Sequence, residues 1–482
     1  MIESVIFFFS GSGMVMLFIL FMRINVVGSK SKLVKHRSKE PGFVDLLIYA
    51  SVVDEGVIVG KDGSLMAAWA YQGVDSNSST EAERDQVSLQ INHALSRMGS
   101  GWMIHIDAVR KPAPGYSTKD DSHFPDPVSA AIDEERREFF ERVGTLYESN
   151  YVITATYLPP LLAQQKFVEL MFDDEGVPVD SKTRTIALLN HFKRECANIE
   201  SHLSSVFRMK RLKGKTITKE DNSSVNYDAF LRWIQFCISG LDHPVILPKN
   251  PIYLDALLSG QEFWGGVVPK IGQNFIQVVS IEGFPLASSP GLINSLADLP
   301  CLYRWSTRFI FMDTHEAVGH LEKFSKKWKQ KIRSFFDQVF NSHSSNVDQN
   351  AINMVSDAQA AIAETNSGEV AQGYYTSVVV LMSESRGDLE ASARQVAKAI
   401  NHLGFTARIE TINTIDAYLG SLPGHGVENV RRPLLNTMNL ADLMPSNTVW
   451  PGKNEAPCPM YPPMAPPLMH CTTQGATPFR LN

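Results

Sequence analysis

Three Gly-Lys steps are the first places in this chain where phosphate chemistry could reside. A phosphate-cradling loop needs G-x-x-x-x-G-K-[ST], because successive backbone N–H groups must surround the phosphates while the lysine reaches the terminal one. Gly60-Lys61 is followed by Asp62 and Gly452-Lys453 by Asn454. Gly214-Lys215-Thr216 comes nearest, but Met209 stands where the first glycine belongs. No residue is therefore assigned to nucleotide binding, and no independent ATP hydrolysis is expected of these 482 residues.

Other chemistry is equally sparse. His315-Glu316 with His320 approaches a zinc-binding helix, but five residues turn a helix about 140° out of alignment at roughly 100° per residue. His105 and Asp107 share one face of a strand and read as a solvent-side pair. Cys458, His470 and Cys471 fall in a Pro-rich tail at irregular spacing, too weak a pattern for a metal clip. A serine hydrolase would need a G-x-S-x-G elbow, and none occurs. Asp133 with Arg137, and Glu138 with Arg142, stand at i and i+4 and predict a solvated, ion-paired helix face rather than paired catalytic carboxylates. No catalytic, cofactor or metal residue is assigned. Lys323, Lys326, Lys327, Lys329, Lys331 and Arg333, interleaved with Trp328, form a basic stretch. It reads as a wet helix face, with polyanion contact as its functional alternative.

The elements that would position such residues follow from composition and periodicity. Hydrophobic residues make up 44% and charged residues 20% of the chain, which excludes a disordered tail or a multi-span transporter. A net charge of −6 is wrong for a general polyanion binder. Five cysteines without a C-x-x-C pair suggest neither a disulfide framework nor a zinc ribbon, and they fit a reducing compartment.

Residues 4–22 carry no charge and would span about 28 Å as a helix, close to the ~30 Å of a bilayer's hydrocarbon core. Arg23, Lys30, Lys32, Lys35, Arg37 and Lys39 follow without an acidic residue between 23 and 39. A signal peptide wants its positive charge before the apolar core. The expectation is a single-pass inner-membrane anchor, with the six cations at the membrane surface and the bulk of the chain cytoplasmic.

From residue 55 the pattern is α/β. The expected fold class is α+β-like sandwich units with mixed or antiparallel sheets and helices on one face, behind the transmembrane helix and ending in a Pro-rich extension. Asp62-Gly63 between apolar runs predicts a tight hairpin with both turn residues at positive φ. Thr80 with Glu83 has capping-box spacing, and Asp126 can cap a helix whose first position is Pro127. Strands are expected over 102–109, 151–158, 275–281 and 303–312, and helices over about 314–340 and 347–365. Val378 to Met382, the stripe Leu389, Ala393, Val396, Ile400 and Leu403, and the alternation from Phe405 predict a βαβ unit. The expected divisions are 1–40, an anchor with its basic segment; 43–165, a first α/β unit; 166–265, a mainly helical middle; 266–421, a second α/β unit; and 422–482, the extension. Nine prolines between Pro445 and Pro478 exclude helices and interior strands there, so that segment should drape over a surface.

Several stretches together resemble one family. Asp54-Glu55-Gly56-Val57-Ile58-Val59, Gly99-Ser100-Gly101-Trp102-Met103, His123-Phe124-Pro125-Asp126-Pro127, Tyr157-Leu158-Pro159-Pro160, Glu282-Gly283-Phe284-Pro285, Tyr303-Arg304-Trp305-Ser306-Thr307-Arg308-Phe309 and Leu422-Pro423-Gly424 stand in the order of the amino-terminal half of TrbE-type conjugal transfer ATPases, the CagE/TrbE/VirB family of type IV secretion systems. The likeness runs from about residue 43 to the end. It implies a membrane-docking module in pilus assembly or in DNA or protein transfer, with small inner-membrane subunits as partners and a homo-oligomeric full-length form. Family members continue into a RecA-like domain that binds ATP and Mg, so the resemblance carries no catalytic position onto this chain. It leaves open a split ATPase completed by another polypeptide, a nucleic-acid-handling subunit, and a truncated product.

Overall fold

Local turn chemistry starts the first sheet. In the computed structural model the chain is described over 42–482, apart from 76–77, 123, 160–178, 219–223, 249–251, 286, 340–348, 430–432, 463 and 474–475. It divides into Met1–Leu47 and Ile48–Asn482. In the first unit α1 (Phe43–Leu46) is a single turn, with the Gly42 N–H donating to the Asp45 carboxylate at 2.9 Å.

The second unit begins with β1 (Tyr49–Asp54), β2 (Val57–Gly60), β3 (Leu65–Gln72), α2 (Glu81–Leu95), β4 (Trp102–Pro112), α3 (Pro127–Val143) and β5 (Tyr147–Tyr157). The middle holds α4 (Val179–Leu203), β6 (Arg208–Arg211), β7 (Gly214–Thr218), β8 (Ser224–Asp228), α5 (Ala229–Ser239), β9 (Ile246–Leu247) and α6 (Leu254–Leu258). Then come β10 (Phe263–Trp264), β11 (Lys270–Ile271), β12 (Asn274–Gly283), β13 (Tyr303–Phe311), α7 (Thr314–Val339), α8 (Gln349–Ser367), β14 (Gln372–Ser383), α9 (Arg386–His402) and β15 (Thr406–Ile409). The chain closes with α10 (Thr414–Leu419), β16 (Leu434–Asn436), α11 (Thr437–Leu443), β17 (Met469–Thr472) and β18 (Pro478–Leu481).

The capping box is present, with Thr80 N–H donating to Glu83 Oε2 at 2.7 Å and Glu83 N–H to Thr80 Oγ1 at 3.3 Å. Asp126 caps α3 through a 2.8 Å bond from Ser129 N–H, with Pro127 at the first position. The hairpin turn differs from expectation. Gly63 alone is left-handed, at φ 80°, and its N–H donates to the Gly60 carbonyl at 3.0 Å. Asp62 instead uses its carboxylate to accept from Ser64 N–H at 3.0 Å. The connection is a four-residue turn with a glycine bulge, so only one positive φ is needed.

Among the described residues thirteen strands form one sheet in the order β1-β2-β3-β5-β4-β13-β14-β12-β11-β10, with β6 on β3, β15 on β12 and β16 on β14. All of these ladder pairings are antiparallel. The two expected α/β units therefore share a continuous sheet, joined where β4 runs against β13 from Met103↔Ile310 to Arg110↔Tyr303. The βαβ unit is a split one, because β14 and β15 run parallel with β12 between them. Leu389, Ala393, Val396 and Ile400 bury their stripe, and Gly404 follows at φ 85°.

Two expectations about the fold class are corrected. No helix among the described residues is long and apolar enough to cross a membrane. The long described helices α4 and α7 interleave Lys, Arg and Glu with their apolar residues, which a bilayer does not tolerate. Over the described residues the fold is a mixed α/β chain of antiparallel sheets with no membrane-spanning helix; the segment behind that expectation, with Arg23, Lys30, Lys32, Lys35, Arg37 and Lys39, lies outside the described residues.

The second correction is that helices cover both faces of the sheet. One face carries Trp69, Ile104, Ile153, Trp305, Phe309 and Val379 in the main core. On the other, α5 buries Phe230, Leu231, Ile234 and Cys237, and the Tyr418 hydroxyl of α10 donates to the Ile238 carbonyl at 2.6 Å. The alternation of β4 and β13 explains this, since both of their faces are buried.

The Pro-rich extension lies along the strand ends. Tyr71 and Tyr151 hydroxyls donate to the Pro445 and Asn447 carbonyls at 2.8 and 3.0 Å, and the hairpin β17-β18 is fixed by Tyr147 N–H to the Ala476 carbonyl and by Arg480 to Glu148.

Candidate functional site

The second face of the sheet carries a row of polar side chains that an apolar core would exclude. In β13 the residues Arg304, Ser306 and Arg308 alternate with Trp305, Thr307 and Phe309, so period-two geometry sends the arginines to the same side. The register sets Thr154 of β5, His105 of β4, Arg308 of β13 and Thr376 of β14 side by side across four strands.

Above this row runs a strap, residues 420–429, that follows α10. Arg308 Nη1 donates to the carbonyls of Glu428 at 2.8 Å and His425 at 3.0 Å, and Nη2 to that of Asn429 at 3.2 Å. Arg304 Nη1 donates to the Ser421 carbonyl at 2.8 Å and to Asp107 Oδ1 at 2.9 Å, while Nη2 donates to Ser421 Oγ at 2.6 Å. Ser306 Oγ donates to the Ser421 carbonyl at 3.1 Å, and the Tyr49 hydroxyl to that of Pro423 at 2.8 Å. Gly424, at φ 87°, sits so close to Met66 that an added Cβ would meet its sulfur at 2.3 Å. Only glycine fits there. The two sequence motifs Tyr303 to Phe309 and Leu422-Pro423-Gly424 are thus the two sides of one clamp.

Electrostatics suit a structural joint. Burial raises the Asp107 carboxyl above its ordinary value, and the Arg304 guanidinium pulls it back. Burial, and then the Arg308 charge, hold the His105 imidazole well below its usual value, so it is neutral, with Nε2 3.4 Å from the Gly420 carbonyl. Both guanidiniums are occupied by the chain's own carbonyls. No group of three or more metal-ligating side chains occurs among the described residues.

A pH dependence follows. A histidine depressed in the folded state binds its proton more readily when unfolded, so its contribution to stability is intact above about pH 6.5 and is lost as pH falls below it. The slope is about 1.4 kcal/mol per pH unit while only the unfolded form is protonated. Asp107, raised by burial, acts in the opposite sense, and His470, lowered to about 4 chiefly by burial, in the same sense as His105. Denaturation of the wild type and of His105→Gln at pH 7.0 and 5.0 separates them. The variant should lose less stability on acidification, and an equal loss would refute the assignment.

Several expectations are revised. His105 and Asp107 are not a solvent-side pair, since both are fully buried beneath the strap. Asp133 and Arg137 are not on a wet face either: they lie 2.6 Å apart, both buried, with the Tyr116 hydroxyl donating to Asp133 at 2.7 Å. The loop 116–122 folds over that pair, which periodicity along one helix could not reveal. Arg142 donates to the Glu138 carbonyl at 3.3 Å. Gly214-Lys215-Thr216 belongs to the hairpin β7-β8 rather than to a strand-loop-helix phosphate site. His320 lies beside the Tyr374 hydroxyl, 3.5 Å away, and His470 packs on Tyr116 and Phe140. In the basic stretch Lys323, Lys326 and Lys327 are exposed, with Lys326 3.4 Å from Glu322; the side chains of Lys329, Lys331 and Arg333 lie outside the described residues. Arg304, Arg308 and Ser421 received no individual role from sequence, although polar residues at every second position of an apolar strand were the available signal.

Open surface lies elsewhere on the same face. A cleft of 620 Å³ runs between α5, β6 and the ends of β3, β4 and β5, with Trp233 and Phe236 on one wall and Arg208 and Lys210 on another.

Comparison with known proteins places these features. The type IV secretion system ATPase VirB4/TrbE N-terminal domain model matches residues 56–165, and the model of the CagE, TrbE, VirB family, a component of type IV transporter systems, matches residues 215–431. Conjugal transfer protein TrbE of Rhizobium radiobacter is 45% identical over 449 residues, covering 92% of this chain and 54% of that protein. In Sinorhizobium fredii a probable conjugal transfer protein TrbE is divided between two polypeptides. The second of them is 46% identical over 292 residues, 60% of this chain and 44% of its own length. The first is 49% identical over 125 residues, 26% of this chain and 84% of its own length. The chain spans about half the length of the Rhizobium radiobacter protein and of the second Sinorhizobium fredii polypeptide.

Proposed function

Since the chain belongs to the TrbE-type conjugal transfer family of type IV secretion components, we propose that it acts as a docking module of the transfer ATPase, holding other subunits of the apparatus at the inner membrane during pilus assembly or substrate transfer. The observation behind this reading is the clamp. The buried guanidiniums of Arg304 and Arg308 are committed to the chain's own strap, and Asp107 is paired with Arg304, an arrangement that suits a rigid platform rather than a reaction centre. ATP and Mg would be handled by a motor domain of the full-length family, and the homo-oligomer expected of that form belongs to the same reading.

The test is capture from detergent-solubilised membranes of conjugating cells with the full chain as bait. Enrichment of the system's small inner-membrane subunits over an unrelated bait of similar charge is expected, and no enrichment would overturn the proposal. Saturable ATP turnover by the purified chain alone would overturn it as well. A second reading, half of a split ATPase, has a precedent for division of the family in the Sinorhizobium fredii relative, although both of its polypeptides match segments of this chain, so that division falls inside the chain's span. Mixing the chain with a separately produced motor half should then raise ATP turnover above that of the motor half alone.

A further inference from the structure

We propose that the groove between α5 and β6, continued past Thr448 to Trp450, binds an acidic peptide segment in extended conformation, supplied by a partner protein. The inference rests on the docking reading and assigns it a place and a partner chemistry.

The groove combines an apolar base with a cationic rim. Ala70, Val109 and Val152 from the second face of the sheet line it, and Trp233 stacks on Phe236 with ring centroids 5.9 Å apart. Trp233 is only 9% exposed, and its indole N–H has no hydrogen-bond partner among the described residues.

The rim carries unbalanced positive charge. Lys111 and Arg232 share a single carboxylate, Asp242, at 3.1 and 2.5 Å, and Glu148 is engaged by Arg480. Arg208 and Lys210 make no ion pair among the described residues and are exposed. This excess stands out on a chain whose net charge is −6. Arg208 and Lys210 are two apart on an edge strand, so their side chains repeat at about 6.6–6.8 Å, the repeat of alternate side chains on a second extended strand. Acidic residues at every other position of a partner would face them in register.

The groove also has length. A second cleft, of 490 Å³, shares Gln72, Arg208 and Thr448 with the first and reaches Trp450, which is 57% exposed. An aromatic residue left in water at the end of a channel suits an anchor for a partner's apolar side chain. The carboxylates in the lining, Asp242 and Glu148 in the first cleft and Asp75 in the second, disfavour a continuous phosphate backbone relative to a peptide whose apolar side chains alternate with its acidic ones.

The test uses the full chain and three fluorescein-labelled probes: a ten-residue peptide alternating glutamate with leucine, its lysine-for-glutamate counterpart, and a ten-nucleotide oligothymidylate. Anisotropy should show binding of the acidic peptide and none of the basic one. The double variant R208E/K210E should weaken that binding by about tenfold or more, with an unchanged circular dichroism spectrum and melting curve because both residues are exposed. Undiminished binding by the double variant, or no binding of the acidic peptide by the wild type, overturns the proposal. Tighter binding of the oligonucleotide, lost in the same variant, overturns it in favour of a nucleic acid. Membrane-subunit capture that persists undiminished in R208E/K210E refutes the groove alone, whereas failure of capture by the wild type refutes the docking reading.

Discussion

Arg304→Ala is expected to lower folding stability by about 3–5 kcal/mol, the range for removing one partner of a buried ion pair. The substitution leaves Asp107, which is fully buried, without its guanidinium, and it removes the Arg304 donors from the Ser421 hydroxyl and carbonyl, leaving the carbonyl only its bond from Ser306 Oγ. The cost is therefore mainly that of an uncompensated, fully buried carboxylate. Asp107→Leu alone strands the arginine in turn. Combining Arg304→Met with Asp107→Leu removes both charges at once and should restore some of the loss, because an apolar pair of similar volume replaces a buried ion pair at little cost. Urea denaturation of Arg304→Met, Asp107→Leu and the double that combines them gives the coupling energy directly. A coupling near zero would show that the pair does not act as a unit.

Arg308→Ala should release the strap without unfolding the sheet. Three strap carbonyls accept from this guanidinium within 3.2 Å, and bonds to a charged donor contribute about 1.5–3 kcal/mol each. Even one such loss, taken as on the order of 3 kcal/mol of local opening energy, raises the open population about a hundredfold. Limited proteolysis reads this as faster cleavage within 420–429, with the same fragments as in the wild type. Arg308→Lys should rescue poorly, since an ammonium cannot match the span of a planar fork. Cleavage at the wild-type rate in Arg308→Ala would mean that Arg304, Tyr49 and Ser306 hold the strap without it.

Much of the local structure is legible in the sequence because it rests on signals within one element. Thr80 with Glu83 and the stripe from Leu389 to Ile400 depend on spacings of three and four, Asp126 with Pro127 on adjacent positions, and each forms as expected. What is not legible depends on contacts between distant segments. His105 and Asp107 read as exposed because a strand's alternation gives two faces without saying whether the outer one is covered. The cover is residues 420–429, more than three hundred positions away. Asp133 and Arg137 read as a surface pair because the loop 116–122 that covers them has no periodicity to announce it. The groove beside α5 is equally hidden, being assembled from β6, α5 and strand ends that no single motif links.

The junction of β4 with β13 has a mechanical consequence. Were the polypeptide severed between β5 and β13, each fragment would present a long row of unpaired amides and carbonyls, eight residues of it from Met103 to Arg110 on one and Tyr303 to Ile310 on the other. Such rows adhere to whatever strand they meet. The matching side chains, His105 and Asp107 against Arg308 and Arg304, would then act as a key that favours correct reassembly of the two fragments over the clumping of either with itself.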